Sequence, residues 1–258
     1  MKKYLFALLM VCLPVVALAA GGATYPMDAF KADLKDQESL QRGMGLFVNR
    51  CMGCHSMEFQ RFTRTGADIG IPDDLMEEYL ILGDHGINDQ MTISMDKVDA
   101  ATWFGIAPPD LSLTARLRGG EWIYNYLRTF YRDDAAPFGV NNPVFPDVGM
   151  PNVLEDLRGV VVNHCTHEEL LAHGGFTGTL DPLTGNRSGQ CLQVQPGTGS
   201  MTTAEFDQAI YDLTNFMTYV GEPSKLQAHR IGTYVLIFLA IFTFVAYLLK
   251  REYWRDIH

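Results

Sequence analysis

Cysteine is scarce in this chain: five residues among 258, too few for a small scaffold stapled by disulfides. Basic residues are in deficit, 20 Lys and Arg against 30 Asp and Glu, for a formal net charge of −10. A nucleic-acid partner demands a basic footprint, so this balance argues against one and points to a basic partner or to solvated acidic faces. There is no internal repeat, no low-complexity tract, no Gly-x-Ser-x-Gly element and no His-Glu-x-x-His helix. Long apolar runs are confined to the two ends, and a mean hydropathy of 0.00 excludes a polytopic membrane protein. What remains is globular composition, with 47% hydrophobic and 19% charged residues.

The N-terminus reads as a secretory signal over residues 1–19. Lys2 and Lys3 form a positive n-region, residues 4–16 an apolar h-region broken by Pro14, and Ala17-Leu18-Ala19 a small-x-small cleavage site. A short N-terminal anchor is the competing reading, but the apolar run is brief for a span. Cys12 lies inside the h-region and leaves with it. Removing Lys2 and Lys3 takes the charge from −10 to −12. At the other end, residues 231–249 form 19 positions without a charge. As a helix they span about 28 Å, close to the hydrocarbon thickness of a bilayer. His229 and Arg230 precede this run, Lys250, Arg251 and Arg255 follow it, and Tyr247 and Trp254 suit the membrane interface. The two ends agree on topology. Residues 20–228 lie in the periplasm, 229–250 cross the bacterial inner membrane once, and 251–258 form a cytoplasmic tail.

The body reads as mainly α, with long loops and a small β-ribbon. Helices are expected over residues 35–49, 73–82, 120–131 and 202–220. In the last, Thr202 and Glu205 make a capping box, Phe206, Ile210, Leu213, Met217 and Val220 recur at helical spacing, and Gly221 and Pro223 stop it. In the first, Leu40, Met44, Phe47 and Val48 share a face, and Gly43 and Gly45 suggest a close helix contact. Pro and Gly mark loops over 141–151 and 174–200. Residues 159–163 and 191–194 are expected to pair as the ribbon.

Cys51-Met52-Gly53-Cys54-His55 is the strongest motif. Cys-x-x-Cys-His in an exported chain reads as covalent haem attachment. Each thiol adds across one vinyl group, the two-residue gap matches the vinyl spacing, and His55 then lies under the iron. The motif occurs once, so one haem c is expected. A thioredoxin-like dithiol competes, but it wants a helix opening at the first cysteine, whereas here the helix precedes the motif. Half of a zinc site also competes, with only Cys165 and Cys191 left to complete it. The distal ligand must come from far along the chain. Met52 and Met57 are too near the motif, Met1 and Met10 leave with the signal, and Met217 reads as core. Met150 sits in a loop flanked by Pro146 and Pro151, which presents a thioether without breaking helical hydrogen bonds. A thioether favours ferrous iron and raises the potential. A packed loop methionine is the alternative, and His85, His164, His167 and His173 are rival ligands.

Other pieces stand in a specific order. Arg42-Gly43 precedes the motif and Ser56-Met57 extends it. Ala107-Pro108-Pro109-Asp110-Leu111-Ser112, Ala115-Arg116-Leu117-Arg118, Phe145-Pro146 and Gly149-Met150-Pro151 follow, and the C-terminal anchor closes the series. Over nearly the whole chain this resembles the cytochrome c1 family, the haem c subunits of ubiquinol–cytochrome c reductase (cytochrome bc1) complexes. Family members often carry Asn-Gly before the Pro-Pro run, where Trp103-Phe104-Gly105 stands here. The resemblance implies a cytochrome c-like haem domain with haem c held through Cys51 and Cys54 and with His55 and Met150 as iron ligands. It implies that Arg118 meets a haem propionate, with Tyr124 as a second contact, and that residues 107–111, Pro109 among them, line the pocket.

The same resemblance implies a subunit of ubiquinol–cytochrome c oxidoreductase with no stand-alone catalytic site. A Rieske iron–sulfur protein delivers electrons from quinol oxidised at cytochrome b, and a cytochrome c accepts them. The alternative is another membrane-anchored monohaem c-type cytochrome serving an oxidase or reductase. The acidic charge suits a basic acceptor, with Asp73-Asp74, Glu77-Glu78 and Asp133-Asp134 as the clusters to consider. Cys165 and Cys191, 26 positions apart in a Gly-rich segment of an exported chain, read as a disulfide. Some bacterial family members carry a similar bridged insertion. Such a bridge stabilises by roughly 3 kcal/mol through loop closure. A labile redox pair is the other possibility.

Overall fold

The computed structural model describes residues 25–174, 179–180, 187–188 and 191–255. The signal segment and residues 256–258 of the tail lie outside the described residues. Helix α1 (Gln37–Arg50) starts where the Asp36 carboxylate accepts the Ser39 amide and ends at Cys51. Strand β1 (Met57–Arg61), α2 (Phe62–Ile69), α3 (Asp73–Tyr79) and β2 (Gln90–Met91) follow, with β2 antiparallel to β1. Asp96 caps α4 (Lys97–Phe104), which stops at Gly105 in the left-handed region, φ 80°. Then come α5 (Thr114–Arg118), α6 (Gly120–Arg128), β3 (Tyr131–Arg132), β4 (Val140–Asn141), α7 (Glu155–Arg158), β5 (Val161–Asn163) and α8 (His167–His173). The described elements end with β6 (Thr179–Leu180), β7 (Arg187–Ser188), β8 (Leu192–Val194), α9 (Thr203–Gly221) and α10 (Lys225–Tyr253).

The main core lies between α1 and α9. Leu40, Met44 and Phe47 from α1 and Phe206, Ile210, Leu213 and Phe216 from α9 are buried in one cluster with residues of β1, α2, α3 and α6. The helices approach closely at Gly43, where an added Cβ would fall on the Asp212 carbonyl oxygen; at Gly45 nothing lies within 4 Å. The close contact foreseen for both glycines is therefore made by Gly43 alone. Beside this contact Arg42 pairs with the buried Asp212 carboxylate, Nε to Oδ2 2.6 Å. The capping box at Thr202 and Glu205 is present.

Two helices are shorter than the periodicity suggests. In α3 the amides of Leu80 and Ile81 both return to the Met76 carbonyl and close the helix. Helix α6 gives way because Tyr131 and Arg132 join a sheet instead. The ribbon of β5 and β8 forms as expected, within a four-stranded sheet of order β4-β3-β5-β8 whose β3–β5 pair is parallel. Cys165 and Cys191 are bridged by a disulfide beside it, and the His164 amide donates to the Cys191 carbonyl.

Within α10, Ile231–Tyr253 has a mean hydropathy of 2.3 and none of it is buried, which fits a single-pass membrane anchor.

Candidate haem site

The last turn of α1 buries Phe47 and Val48, so the helix end is fixed against the core. The chain then folds back tightly. The Cys51 amide reaches the Phe47 carbonyl, and the amides of Cys54 and His55 both reach the Cys51 carbonyl, at 3.1 and 2.9 Å. Neither cysteine takes part in a disulfide, and Cys51 is buried and Cys54 half-buried. Burial pushes the Cys51 thiol up to about 12, with Cys54 adding to the shift and Arg50 opposing it. Burial pulls the His55 imidazole below its ordinary value, against the Pro109 carbonyl and the Asp110 carboxylate.

His55 Nδ1 lies 2.8 Å from the Pro109 carbonyl oxygen. A carbonyl only accepts, so Nδ1 carries the proton and the lone pair is left on Nε2. This is the orientation that a metal-binding imidazole takes from its backbone partner. The Pro-Pro run is itself pinned beside the motif. Leu111 donates to the Ser56 carbonyl at 2.8 Å. The Glu58 and Ser112 amides donate to the Asp110 carboxylate, and the Phe59 amide to Ser112 Oγ. Pro108 and Asp110 border a cleft of about 180 Å³ with Cys54.

Met150 lies in a loop held to the end of α6. Asn142, fully buried, donates to the Tyr126 carbonyl and accepts from the Val144 and Phe145 amides and from Thr129 Oγ1. Asn141 Oδ1 takes the amide of Asp147, whose φ is 58°. The loop also meets the Pro-Pro side of the site, because a Cβ on Gly149 would stand 3.6 Å from Ile106. Met150 Sδ accepts a hydrogen bond from the Tyr126 hydroxyl at 3.4 Å. Arg118 lies exposed with its guanidinium 5.1 Å from the Trp122 ring and 5.9 Å from Phe145. Tyr124 faces elsewhere, its ring 5.6 Å from Phe30 and 4.5 Å from the Arg128 guanidinium.

Tyr126, Trp122 and Asn142 were not singled out by sequence reasoning. The spacing of Arg118, Trp122 and Tyr126 at every fourth position was the available signal for the first two. Among the rivals, Met217 is buried in the core, His85 packs near Phe62, and His164 lies beside the disulfide. The side chains of His167 and His173 lie outside the described residues. Asp133 and Asp134 are engaged locally, with Asn141 and Arg132, whereas Asp73 and Asp74 occupy the first turn of α3, where the helix dipole favours acids. Among the described residues no group of three His, Cys, Asp or Glu is placed to share a metal ion, and Cys165 and Cys191, the cysteines a zinc site would draw on, are joined to each other. Two thiols and an oriented imidazole on one turn instead fit covalently attached haem.

The description "Cytochrome C1 family" matches residues 29–169 and 193–257. Cytochrome c1 of Allochromatium vinosum is 41% identical over 258 residues, covering all of both chains. A Nitrosomonas europaea protein named ammonia monooxygenase gamma subunit is also 41% identical over 258 residues, again all of both chains. Cytochrome c1 of Rhodobacter capsulatus is 26% identical over 98% of this chain and 97% of its own. The chain belongs to the cytochrome c1 family, haem c-bearing electron-transfer subunits of cytochrome bc1 complexes.

Proposed function

We propose that this chain carries electrons through one covalent haem c from a Rieske iron–sulfur protein to a cytochrome c, in a complex where cytochrome b oxidises quinol. The observation that carries the proposal is the His55 imidazole, oriented by Pro109 at 2.8 Å on the same turn as two cysteines outside any disulfide. When bound, the haem supplies one-electron chemistry between ferric and ferrous iron. Cys51 and Cys54 would hold it by thioether bonds, which prevent its loss outside the cytoplasm. His55 would ligate the iron through Nε2, the nitrogen left free by Pro109, and Met150 would ligate it through its thioether. Arg118 meets a propionate, held in place by the faces of Trp122 and Phe145. Tyr124, whose ring packs on Phe30 and the Arg128 guanidinium, is assigned as a second propionate contact. Residues 20–228 work in the periplasm, and α10 anchors them with the C-terminus in the cytoplasm. No residue acts as acid, base or nucleophile.

Identity of 41% to the Nitrosomonas europaea protein supports a second reading, an anchored monohaem cytochrome serving another oxidase or reductase. Membranes with and without the Rieske protein separate the two. On the first reading, quinol reduces the c haem only when the Rieske protein is present, and added ferric cytochrome c reoxidises it. Quinol reduction that persists without the Rieske protein overturns the proposed path.

A further inference from the structure

We propose that Tyr126 is a positioning residue for the distal ligand, its hydroxyl donating to Met150 Sδ to hold the thioether and raise the potential of the site. This rests on the assignment of Met150 as an iron ligand. A thioether sulfur has two lone pairs. One binds iron, and the other remains free to accept the Tyr126 hydroxyl, which lies 3.4 Å away. Donation to the sulfur draws electron density from it, so it gives less to ferric iron and the ferrous state gains.

The phenol is held in place from several sides. Its ring stacks on Trp122 with centroids 4.8 Å apart and planes at 11°. Phe130 meets it edge-on at 5.1 Å and Phe145 at 6.4 Å. Asn142 ties the Tyr126 carbonyl to the amides of Val144 and Phe145, so phenol and methionine loop move as one body. A half-buried hydroxyl in this aromatic setting is poorly served by solvent, and Met150 Sδ is its hydrogen-bond acceptor among the described residues. Packing alone is served by phenylalanine here; among the described residues the hydroxyl finds its acceptor in the Met150 sulfur.

The test compares wild type and Tyr126→Phe as full chains in their complex, by redox titration and by the far-red methionine-to-iron band of the ferric state. The potential of the variant is expected to fall, so that the ferrous-to-ferric ratio at a fixed ambient potential drops by up to about fivefold, the limit reached when the whole value of one hydrogen bond favours the ferrous state. The band should be displaced or lost. Tyr211→Phe serves as control, since it removes a hydroxyl that donates to the Lys31 carbonyl at an exposed position. An unchanged potential in Tyr126→Phe, or an equal fall in Tyr211→Phe, overturns the proposal. A wild type with no far-red band fails the Met150 assignment itself, and the proposal with it. Should the variant fail to assemble, the ferrous wild type still decides. Nuclear Overhauser contacts between the Tyr126 ring and the Met150 methyl are expected, and their absence overturns the proposal.

Discussion

Gly43 and Gly45 stand one turn-half apart in α1, and alanine should act on them with opposite signs. Within a helix, Gly→Ala gains about 1 kcal/mol from propensity. At Gly45 nothing lies within 4 Å of the added methyl, so this gain is kept. At Gly43 the methyl meets the Asp212 carbonyl oxygen, and the Asp212 carbonyl carbon and Phe216 Cβ each at 2.7 Å. Backbone atoms of a packed helix cannot swing aside, so α1 and α9 must part. Parting loosens Phe47 from Phe216, whose rings lie 6.1 Å apart, and the core around them. Overpacking of this kind costs about 3 kcal/mol. Net of propensity, Gly43→Ala should destabilise by about 2 kcal/mol, or about 4–8 °C in Tm, while Gly45→Ala should gain up to about 1 kcal/mol. Thermal unfolding of the detergent-solubilised full chain by circular dichroism measures both. Equal stability of the two variants would refute the reasoning, because it would mean the α1–α9 contact yields at no cost.

Met150→Leu should lower the potential strongly and abolish the far-red ferric band; an unaltered spectrum would remove Met150 from the iron. Asn142→Ala deletes a buried amide that serves the Tyr126 carbonyl and two loop amides, and should cost about 3 kcal/mol in denaturant titration. The Cys165–Cys191 bridge should yield linked peptides in unreduced digests, and replacing both cysteines by alanine should cost roughly 3 kcal/mol. Hydrogen bonds from the Thr202 backbone and side chain hold the Glu205 carboxyl below its ordinary range. A depressed carboxylate stabilises above its unfolded value and loses that contribution as pH falls through its folded one. Acid titration of stability should therefore show a limb at low pH that Glu205→Gln lacks.

Helix α9 was legible because its cap, apolar stripe and stop signals all agree, and the same holds for the apolar run of α10. The β5–β8 ribbon was legible from its β-branched and turn residues. Strands β3 and β4 were not, since two residues each carry no period, and their pairing depends on partners at Val162 and across the turn. The turn that carries Cys51, Cys54 and His55 could be read from five consecutive residues. The Pro109 carbonyl that orients His55 could not be derived from spacing, because 54 positions separate them and the contact depends on how residues 107–112 pack on β1. Tyr126 was hidden for a similar reason: a tyrosine beside a tryptophan at helical spacing reads as packing until the methionine loop is folded over it.

A reduced-minus-oxidised spectrum with a pyridine haemochrome assay, taken on the protein gently purified from membranes, tests the central claim most directly. One c-type haem per chain, copurifying with b-type haem and reduced by quinol, is the predicted result. A preparation without c-type haem, or one whose c-type haem does not respond to quinol in the presence of its membrane partners, would contradict it.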